Sequence, residues 1–410
     1  MIDMALLREH PEKFGQLIKR KSPDFDIKKL LELDVKVRDV KALVEALRQK
    51  KNDLASQAKS GVTSELREAS IAVGKDLKAQ EQEQEQIEKA FKEIALSCPN
   101  IPFEDVPLGD KEENVVVREY GVKPTFSFPI KNHLELGEQN KWFNLEAATK
   151  MAASNFIFYQ GEAVKMMYGL AMFMLKNNSR QGFEPVIPPY VANEETLTVS
   201  GNFPKFKEEV FSVPEDNLYL IPTSEVCLAN LYRDEIIAGT DLPLKMTSWT
   251  SCFRREAGNY GKIERGLIRI HQFEKVELFA ISRPEKSEET LEEMVDCAET
   301  ILKKLGLHYR VSLLAAQDCS FQSAKTYDIE VWLPGQNRYY EVSSASNCTD
   351  FQSRRGKIRY RDSQDEKTQL VHTLNASSLA LPRLMVALME TYQQADGTIA
   401  LPEVLKNEMF

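Results

Sequence analysis

Residues 252–278 have the sequence CFRREAGNYGKIERGLIRIHQFEKVEL. An Arg-Arg-Glu segment at 254–256 precedes a Gly- and Tyr-containing loop at 258–261, and apolar and polar side chains alternate over 268–278. Alternation with a period of two is typical of a half-buried strand, so the stretch predicts two strands joined by a basic loop. The further basic residues in and after the loop are Lys262, Arg265 and Arg269.

The arginines of this hairpin indicate a phosphate site. A guanidinium group presents a rigid fork of donors that matches phosphate and carboxylate, so two strand-borne arginines would hold a polyphosphate on one sheet face. For the Arg-Arg-Glu segment alone, a solvated charged hairpin is the better interpretation. The acidic pair Glu274 and Glu277, which follows on the same alternating strand, favours a functional site.

The first hundred residues predict two long helices. Residues 26–59 contain neither Gly nor Pro, and their apolar residues recur at alternating spacings of three and four, as in a coiled coil. Residues 60–64 interrupt this seam, Ser64 is the predicted N-cap of a second helix, and Pro99 ends that helix. The seam residues are Leu30, Leu33, Val37, Val40, Val44, Leu47 and Leu54, then Leu66, Ser70, Val73, Leu77, Gln80, Gln84, Ile87, Phe91 and Ile94.

Two helices of similar length joined by a short turn bury their seams most easily on each other. We therefore predict an antiparallel coiled-coil hairpin over residues 27–97, about 50 Å long at about 1.5 Å of rise per residue. The alternative is one hairpin of a larger bundle, but neither helix has a second apolar stripe to bury in a bundle core.

The rest of the chain predicts a mixed α and β domain. Short β-branched and aromatic runs at 217–221, 329–333 and 339–343 alternate with helical patterns at 162–176, 285–305 and 380–394. Because the spacing is not that of regular βαβ units, we predict an α+β fold with a largely antiparallel sheet flanked by helices. At 410 residues the chain is long for one core, so we expect two domains, 1–105 and 106–410.

Composition excludes several classes of protein. The net charge of −9 argues against a generally basic nucleic-acid coat, although it leaves local basic patches open. Six scattered cysteines without a C-x-x-C pair argue against a disulfide scaffold or a zinc ribbon. Because no signal-peptide core follows Met1 and no apolar run approaches the ~20 residues that span a bilayer, we expect a cytoplasmic protein without a membrane segment.

Common nucleotide and metal motifs are absent from the sequence. There is no G-x-x-x-x-G-K-[ST], no G-x-G-x-x-G and no H-E-x-x-H, and the five histidines are scattered. P-loop, dinucleotide-binding and metal-hydrolase interpretations therefore lose their main support.

Three segments resemble the motifs of class II aminoacyl-tRNA synthetases. F-R-x-E at 253–256, with its loop and the strand that reaches Phe273, is similar to motif 2. Residues 182–191 (GFEPVIPPYV) resemble motif 1, which the family uses for dimerisation, with Pro189 at the proline position. Near the C-terminus, residues 379–384 (LALPRL) resemble motif 3, with Arg383 as its arginine.

Other segments narrow the resemblance to the seryl-tRNA synthetases. Residues 221–226 (IPTSEV), 265–273 (RGLIRIHQF), 325–332 (KTYDIEVW) and 341–347 (EVSSASN) are similar to that family, as is the helical arm. The resemblance covers essentially the whole chain. It implies that L-serine is activated with ATP to seryl-adenylate and then transferred to the 3′ end of serine tRNA.

The resemblance also implies an ATP site. Arg254 would hold the α-phosphate, Glu256 the adenine amino group, Phe273 would stack on adenine, and Arg383 would lie against the γ-phosphate, which makes Arg254 and Arg383 the predicted catalytic pair. The full predicted set is Arg254, Arg255, Glu256, Ile270, Phe273, Glu341, Val342, Ser343, Ser344 and Arg383. Glu341 and Ser344 would hold Mg²⁺, which prefers oxygen ligands and bridging phosphates. Taken singly, Phe273 also fits a core position, and Glu341 and Ser344 an ordinary strand end.

Serine recognition, again by resemblance, involves Thr223, Ser224, Glu225, Glu277 and Ser377. Thr223 and Glu225 would bind the ammonium group, Glu277 the amino or hydroxyl group, and Ser377 the region of the hydroxyl. A pocket built to bond that hydroxyl rejects alanine, because its own polar groups would be left unpaired. Threonine can be rejected only by shape, which the sequence leaves open.

The arm is the expected contact for tRNA. Since the chain ends shortly after Pro402, we expect no C-terminal anticodon-binding domain, and basic arm residues could contact backbone phosphates. Taken singly, each of these basic residues is better interpreted as a solvated flank of the coiled coil. The basic residues are Arg38, Lys41, Arg48, Lys50, Lys51, Lys59, Lys75 and Lys78. In the family the arm grips a tRNA belonging to the partner subunit, which implies a homodimer. Whether selenocysteine tRNA is also charged depends on the host, which the sequence does not identify.

One segment departs from the family pattern. Ala376, Ser378 and Pro382 stand where the motif 3 region usually has glycines. Glycine permits backbone angles and close approach that these residues do not, although proline is tolerated in the first turn of a helix. The departure therefore bears on the local backbone and, through it, on the affinity for ATP.

Two rival functions remain open at this stage. An amino-acid:carrier-protein ligase would share the catalytic core but lack the arm, which this chain has. A non-catalytic scaffold dimerising through the hairpin is disfavoured by the joint presence of Arg254, Glu256, Glu277, Glu341 and Arg383.

Overall fold

The computed structural model describes residues 1–59, 61–256 and 266–410. This part of the chain divides into two compact units, Ile2–Pro99 and Asn100–Phe410, with Met1 belonging to the second. Most of the predicted basic loop, including Gly258, Tyr260, Lys262 and Arg265, lies outside the described residues, as does Ser60 of the predicted turn.

The helices of the described residues follow in chain order. They are α1 (Met4–Glu9), α2 (Pro11–Lys21), α3 (Ile27–Ala58), α4 (Ser64–Leu96), α5 (His133–Asn140), α6 (Leu145–Met151), α7 (Glu162–Arg180), α8 (Glu194–Ser200), α9 (Glu225–Leu228), α10 (Ser287–Lys304), α11 (Phe351–Gly356), α12 (Leu381–Thr391) and α13 (Glu403–Lys406).

The strands of the same residues all belong to the second unit. They are β1 (Val115–Tyr120), β2 (Phe143–Asn144), β3 (Phe158–Tyr159), β4 (Glu184–Pro185), β5 (Val191–Asn193), β6 (Ser212–Val213), β7 (Leu218–Leu220), β8 (Ile236–Ala238), β9 (Leu244–Phe253), β10 (Gln272–Ser282), β11 (Tyr309–Leu313), β12 (Lys325–Leu333), β13 (Arg338–Asn347), β14 (Arg359–Arg361), β15 (Gln369–Leu370) and β16 (His372–Ala380).

In the first unit, α3 and α4 form the antiparallel hairpin that the seam predicts. Lys41 Nζ of α3 lies 3.1 Å from Glu88 Oε1 of α4, and Arg48 lies 2.9 Å from Glu81. Since a later residue of α3 pairs with an earlier residue of α4, the helices run in opposite directions. The buried seam residues are Leu30, Val37, Val40 and Val44 of α3 and Val73 and Leu77 of α4.

The N-cap of α4 is Thr63. Its Oγ1 accepts a hydrogen bond from Leu66 N at 3.2 Å, and its backbone is extended. The prediction of Ser64 is therefore wrong by one residue. Thr63 and Ser64 both carry the hydroxyl group that an N-cap uses, and Thr63 is the N-cap because its backbone is not helical.

A buried carboxylate interrupts the apolar seam of α3. Asp34 accepts hydrogen bonds from two guanidinium nitrogens of Arg8, Nε at 2.8 Å and Nη2 at 2.7 Å, and one from Arg38 Nε at 3.2 Å. The Arg8 guanidinium is the main cause of a lowered pKa for this carboxyl group. The bonds tie α1 to α3 within the helical unit.

In the second unit, eight of the sixteen described strands form one sheet in the order β1-β11-β12-β13-β16-β10-β9-β4, and the other eight form three smaller sheets. Its pairs are antiparallel except that of β4 with β9, which is parallel. The helices α7, α10 and α12 supply much of the apolar core against this sheet. The predicted α+β class, with a largely antiparallel sheet flanked by helices, is confirmed.

The predicted hairpin around residue 260 is present as β9 and β10. The register places Phe273 opposite Cys252 and Glu277 opposite Ser248. However, β10 begins at Gln272, so the prediction of a strand from residue 268 is wrong at its start. Residues Gly266–Ile268 form a short 3-10 turn that buries Leu267 and Ile268, and Gly266 has a φ of 75°.

Candidate active site

Strand β10 places three chemically different side chains on one face of the sheet. Phe273, Lys275 and Glu277 occupy alternate positions of β10. Val276, Leu278 and Ala280 occupy the positions of the opposite face and belong to the apolar core. A period of two separates the two faces of a strand. Lys275 and Glu277 are nevertheless buried, because other segments cover this face.

Arg254 and Phe273 meet where β9 ends and β10 begins. The Arg254 guanidinium carbon lies 5.2 Å from the centroid of the Phe273 ring, and its Nε donates to the carbonyl oxygen of Pro222 at 3.3 Å. The backbone nitrogen of Arg254 also donates to the carbonyl oxygen of His271 at 2.9 Å. These contacts fix an arginine beside an aromatic face, a suitable arrangement for a nucleotide.

Glu256 follows Arg254 with an unusual backbone. Its φ is 52°, and its carboxylate forms an ion pair with Arg269. Arg255, between them, has an exposed side chain, and its backbone nitrogen donates to the carbonyl oxygen of Glu209 at 2.8 Å. The structure therefore brings Arg254 and Glu256 to the site and directs the Arg255 side chain towards solvent.

Arg383 approaches from the first turn of α12. Its Nη1 donates to the Glu341 carbonyl oxygen at 3.0 Å and lies 3.3 Å from the Glu341 carboxylate, while its guanidinium carbon is 5.0 Å from the ring of Tyr340. Its Nε lies 3.4 Å from the carbonyl oxygen of Ile268. Motif 3 is thereby connected to β13 and to the turn before β10.

The two arginines line a single cavity. Arg254 and Arg383 border one cavity that is also lined by Phe273, Lys275 and Glu341. Of the predicted ATP residues, Glu256, Ile270 and Val342 also line this cavity, as does Ser377 of the predicted serine set.

Thr223 and Glu277 belong to one buried hydrogen-bonded group. Thr223 Oγ1 lies 3.0 Å from Glu277 Oε2 and accepts from Lys275 Nζ at 2.9 Å, and Lys275 forms an ion pair with Glu277. The register of β10 with β16 places Ser377 opposite Glu277. Three side chains of the predicted serine set, Thr223, Glu277 and Ser377, thus lie together with Lys275 beside the arginine-lined cavity.

Glu225 is buried next to this group, with 6% of its surface exposed. Its Oε1 accepts hydrogen bonds from the amide groups of Gln352 at 2.8 Å and Asn375 at 3.1 Å. Burial, followed by the charge of Glu277, raises the pKa of Glu225 to about 7, although Lys275 opposes this rise. Glu225 therefore changes its charge close to neutral pH.

Ser224 precedes Glu225 and is fully buried. Its hydroxyl has no hydrogen-bond partner among the residues that the structure describes. An unsatisfied buried hydroxyl is uncommon in native proteins, and such groups often lie at binding sites.

The departures from the motif 3 glycines are accommodated by the fold. Ala376 is buried in β16 opposite Leu278, and Ser378 Oγ bonds to the side chain of Asn178 at 3.1 Å. Pro382 lies in the first turn of α12, as proline tolerates, and none of the three has a positive φ. The arginine that follows is still presented to the cavity.

Oxygen ligands for a divalent cation lie at the edge of the site. Glu341 borders a second cavity together with Asp318, Asp328 and Glu330. Asp328 pairs in register with Ser344, and its Oδ1 is buried without a hydrogen-bond partner in the described part of the chain. Burial, reinforced by the charge of Glu341, raises the pKa of Asp328 well above its ordinary value.

Glu341 and Ser344 fit Mg²⁺ only if a bound substrate supplies further ligands. In residues 1–59, 61–256 and 266–410 no group of three or more His, Cys, Asp or Glu side chains has the arrangement of a metal site. Mg²⁺ is commonly bound by one or two carboxylates with phosphates supplying further ligands. The oxygens of Glu341 and Ser344 agree with that pattern.

Several residues that complete the site were not predicted from the sequence. Lys275 alternates with Phe273 and Glu277 on β10, and its position between these two predicted site residues could have indicated its role. By contrast, Gln352 and Asn375 reach Glu225 from distant segments, and no local pattern indicates such a contact.

Within the ranges that the structure describes, no helix combines the length and the apolar character needed to cross a membrane.

Two family models match this chain. Residues 1–102 match the seryl-tRNA synthetase N-terminal domain, and residues 206–392 match the tRNA synthetase class II core domain (G, H, P, S and T). The helical unit and most of the site described above lie within these two matches.

Full-length relatives and a solved structure extend the similarity. The serine–tRNA ligase of Nautilia profundicola is 44% identical over 415 residues, covering 99% of this chain and 99% of that protein. That of Fervidobacterium nodosum is 44% identical over 418 residues, covering 100% of this chain and 98% of that protein. The crystal structure of seryl-tRNA synthetase from Pyrococcus horikoshii complexed with ATP has a TM-score of 0.91 and 35% identity, and the match covers 100% of this chain and 98% of that one.

Proposed function

The chain belongs to the seryl-tRNA synthetase family, and from that membership we propose how its side chains carry out the reaction. The enzyme joins L-serine to serine tRNA in two steps. A carboxylate oxygen of serine first attacks the α-phosphorus of ATP, which forms seryl-adenylate and releases pyrophosphate. A hydroxyl group at the 3′ end of the tRNA then attacks the seryl carbonyl carbon, and AMP leaves.

We assign the phosphates of ATP to Arg254 and Arg383. The observation that carries this assignment is that two arginines 129 residues apart in sequence line one cavity together with Phe273 and Glu341. Arg254 would hold the α-phosphate and Arg383 the γ-phosphate, with Phe273 stacked on adenine and Glu256 bound to its amino group. Fixed positive groups stabilise the charge that develops during in-line transfer and align the reacting atoms.

We further propose that Glu341 and Ser344 are the protein ligands of Mg²⁺. Their oxygen atoms and the nearby unpartnered oxygen of Asp328 support this assignment. When bound with ATP, the ion would neutralise part of the charge of the phosphates.

The serine pocket is assigned to the buried group around Thr223 and Glu277. Thr223 and Glu225 would receive the ammonium group, Glu277 the amino or hydroxyl group, and Ser377 would lie beside the hydroxyl, with Ser224 completing the pocket. The burial of Glu277, with Ser377 opposite it, supports discrimination, because a ligand without the hydroxyl would leave the group that bonds this hydroxyl unpaired.

We assign tRNA binding to the helical hairpin and catalysis to the second unit. The division of the chain at Pro99 and the separate domain matches support this assignment. The basic side chains of α3 and α4 are the proposed phosphate contacts, and positioning by backbone phosphates needs no base readout.

We also propose a homodimer formed through the segment around Pro189. Ile187 is 84% exposed, and Tyr190 and Val191 in the same segment are exposed as well. Exposed apolar side chains of this kind are commonly covered by a partner. Because translation consumes the product, we place the enzyme in the cytoplasm.

Serine-dependent ATP–pyrophosphate exchange tests the first half-reaction without tRNA. We expect exchange with L-serine and none with L-alanine. Exchange in the absence of any amino acid, or no exchange with serine, would contradict the assigned pocket.

A further inference from the structure

Lys275 lies in the serine pocket without an assigned role. Only 5% of its surface is exposed, and its side chain borders the cavity between the two arginines. Its Nζ donates to Thr223 Oγ1 at 2.9 Å and forms an ion pair with Glu277. An internal ammonium group is therefore bound by the same two side chains that are proposed to bind the polar groups of serine.

We propose that Lys275 is a positioning residue for serine, whose ammonium group fixes Thr223 and Glu277 and balances one of the two buried carboxylates of the pocket. The inference rests on the proposed serine pocket and extends it. When Glu225 and Glu277 are both ionised, Lys275 leaves one negative charge, and the ammonium group of serine neutralises it.

The geometry favours this role over a purely structural ion pair. Removing two carboxylates from water is costly unless a cation and hydrogen bonds compensate them. At the wall of the cavity, Lys275 supplies a positive charge to Glu277 and a hydrogen bond to Thr223. A lysine that only stabilised the fold would not need to contact two predicted ligands of the substrate.

Other ionisable groups also surround the pocket. The buried thiol of Cys252 lies on the neighbouring strand β9, and the charged groups at the cavity are Arg254, Glu256, Arg269, Glu341 and Arg383. Among the carboxyl groups beside Lys275, Glu225 has a pKa that burial and Glu277 raise to about 7 and that Lys275 lowers. Removal of the lysine charge would therefore move the ionisation of Glu225 to higher pH.

The test compares Lys275→Met, Lys275→Gln and Lys275→Arg in the full chain. Serine and ATP KM values are measured by ATP–pyrophosphate exchange from about pH 6 to about pH 8.5. We expect both uncharged variants to raise the serine KM by about 30-fold near pH 7 while the ATP KM stays within about threefold. We also expect the fall of serine KM with rising pH to move to higher pH, and Lys275→Arg to recover most of the lost affinity.

The matched control is Lys245→Met. Lys245 lies on strand β9 and pairs with Glu293 at 2.6 Å, outside the serine pocket. We expect its serine KM to equal that of the unchanged protein. Circular dichroism on every variant establishes that it is folded.

Several results would overturn the inference. One is a serine KM within about threefold of the unchanged protein for Lys275→Met across the pH range. Another is failure of both uncharged variants to fold while Lys275→Arg behaves normally, which would make Lys275 a residue of the fold alone. Glu277→Gln separates the two proposals: an unchanged serine KM in that variant would refute the pocket itself, whereas a raised KM with no effect of Lys275→Met would refute only Lys275.

Discussion

At the scale of single residues, Glu225 shows how burial alters the chemistry of a carboxyl group. It is almost fully buried, and amide groups from Gln352 and Asn375 donate to it. Burial raises its pKa from 4.5 to about 7. Because folding favours the protonated form, ionisation of Glu225 destabilises the fold; this cost is absent below about pH 4.5 and complete above about pH 7.

We therefore predict opposite effects of Glu225→Gln on stability and on serine binding. Without serine, the free energy of unfolding at pH 8 should rise by about 1–3 kcal/mol, because the neutral amide has no ionisation cost. The gain should vanish near pH 5, where the carboxyl group is already protonated. Serine KM should rise by about 10- to 100-fold, since an amide cannot balance the ammonium charge.

Denaturant unfolding at the two pH values and pyrophosphate exchange measure these effects. An equal gain in stability at pH 5 and pH 8 would show that the ionisation of Glu225 is not its cause. A serine KM unchanged by the substitution would remove Glu225 from the serine pocket.

At the scale of secondary-structure elements, Asp34 connects α1 to the long hairpin. The carboxylate is 3% exposed and accepts hydrogen bonds from Arg8 and Arg38. Arg8 lowers its pKa, so these bonds stabilise the helical unit above the ordinary pKa of 3.8 and are lost as the pH falls through the lowered value. Because Arg8 is partly exposed, solvent screens part of this stabilisation.

We predict that Asp34→Asn lowers the free energy of opening of the helical unit by about 2 kcal/mol near pH 7. Hydrogen exchange of the amides within Ile2–Pro99, followed in the full chain, measures this quantity. The matched control is Glu45→Gln, because Glu45 is exposed on the same helix and lies 4.0 Å from Arg48. Equal exchange rates in both variants would contradict the role given to Asp34.

The elements differ in how far the sequence predicts them. The hairpin α3–α4 and the strands β9 and β10 were predictable because their periodicity is local. The start of β10 was not, because Ile268 continues the apolar alternation while it packs into the core from a turn.

The same distinction applies to the site. The motif residues Arg254, Phe273, Glu341 and Arg383 could be found from resemblance, and the structure places them around one cavity. The contacts of Gln352 and Asn375 with Glu225 join segments more than 120 residues apart, and only the folded chain reveals them.

At the scale of the whole molecule, the two units have separate proposed tasks. The helical unit would hold tRNA, and the sheet with its helices would activate serine. Each unit has its own buried residues, which supports their treatment as independent bodies.

We predict that replacing residues 27–97 by a short linker leaves serine-dependent pyrophosphate exchange within about twofold and lowers tRNA charging by at least about 100-fold. The exchange reaction serves as the internal control, since it shows that the catalytic unit is folded. Equal charging by the shortened and full-length proteins would refute the role of the arm. An amino-acid:carrier-protein ligase would charge tRNA in neither form, so charging by the full-length protein separates the two functions.

The central claim is that Arg254 and Arg383 clamp ATP beside a pocket for serine. Its most direct test is the kcat/KM for ATP in serine-dependent pyrophosphate exchange for Arg254→Ala and Arg383→Ala, with Arg283→Ala as the control, because Arg283 pairs with Asp362 away from the cavity. We predict a loss of about 100-fold or more in each of the first two variants and none in the control. Undiminished exchange after either substitution would contradict the claim.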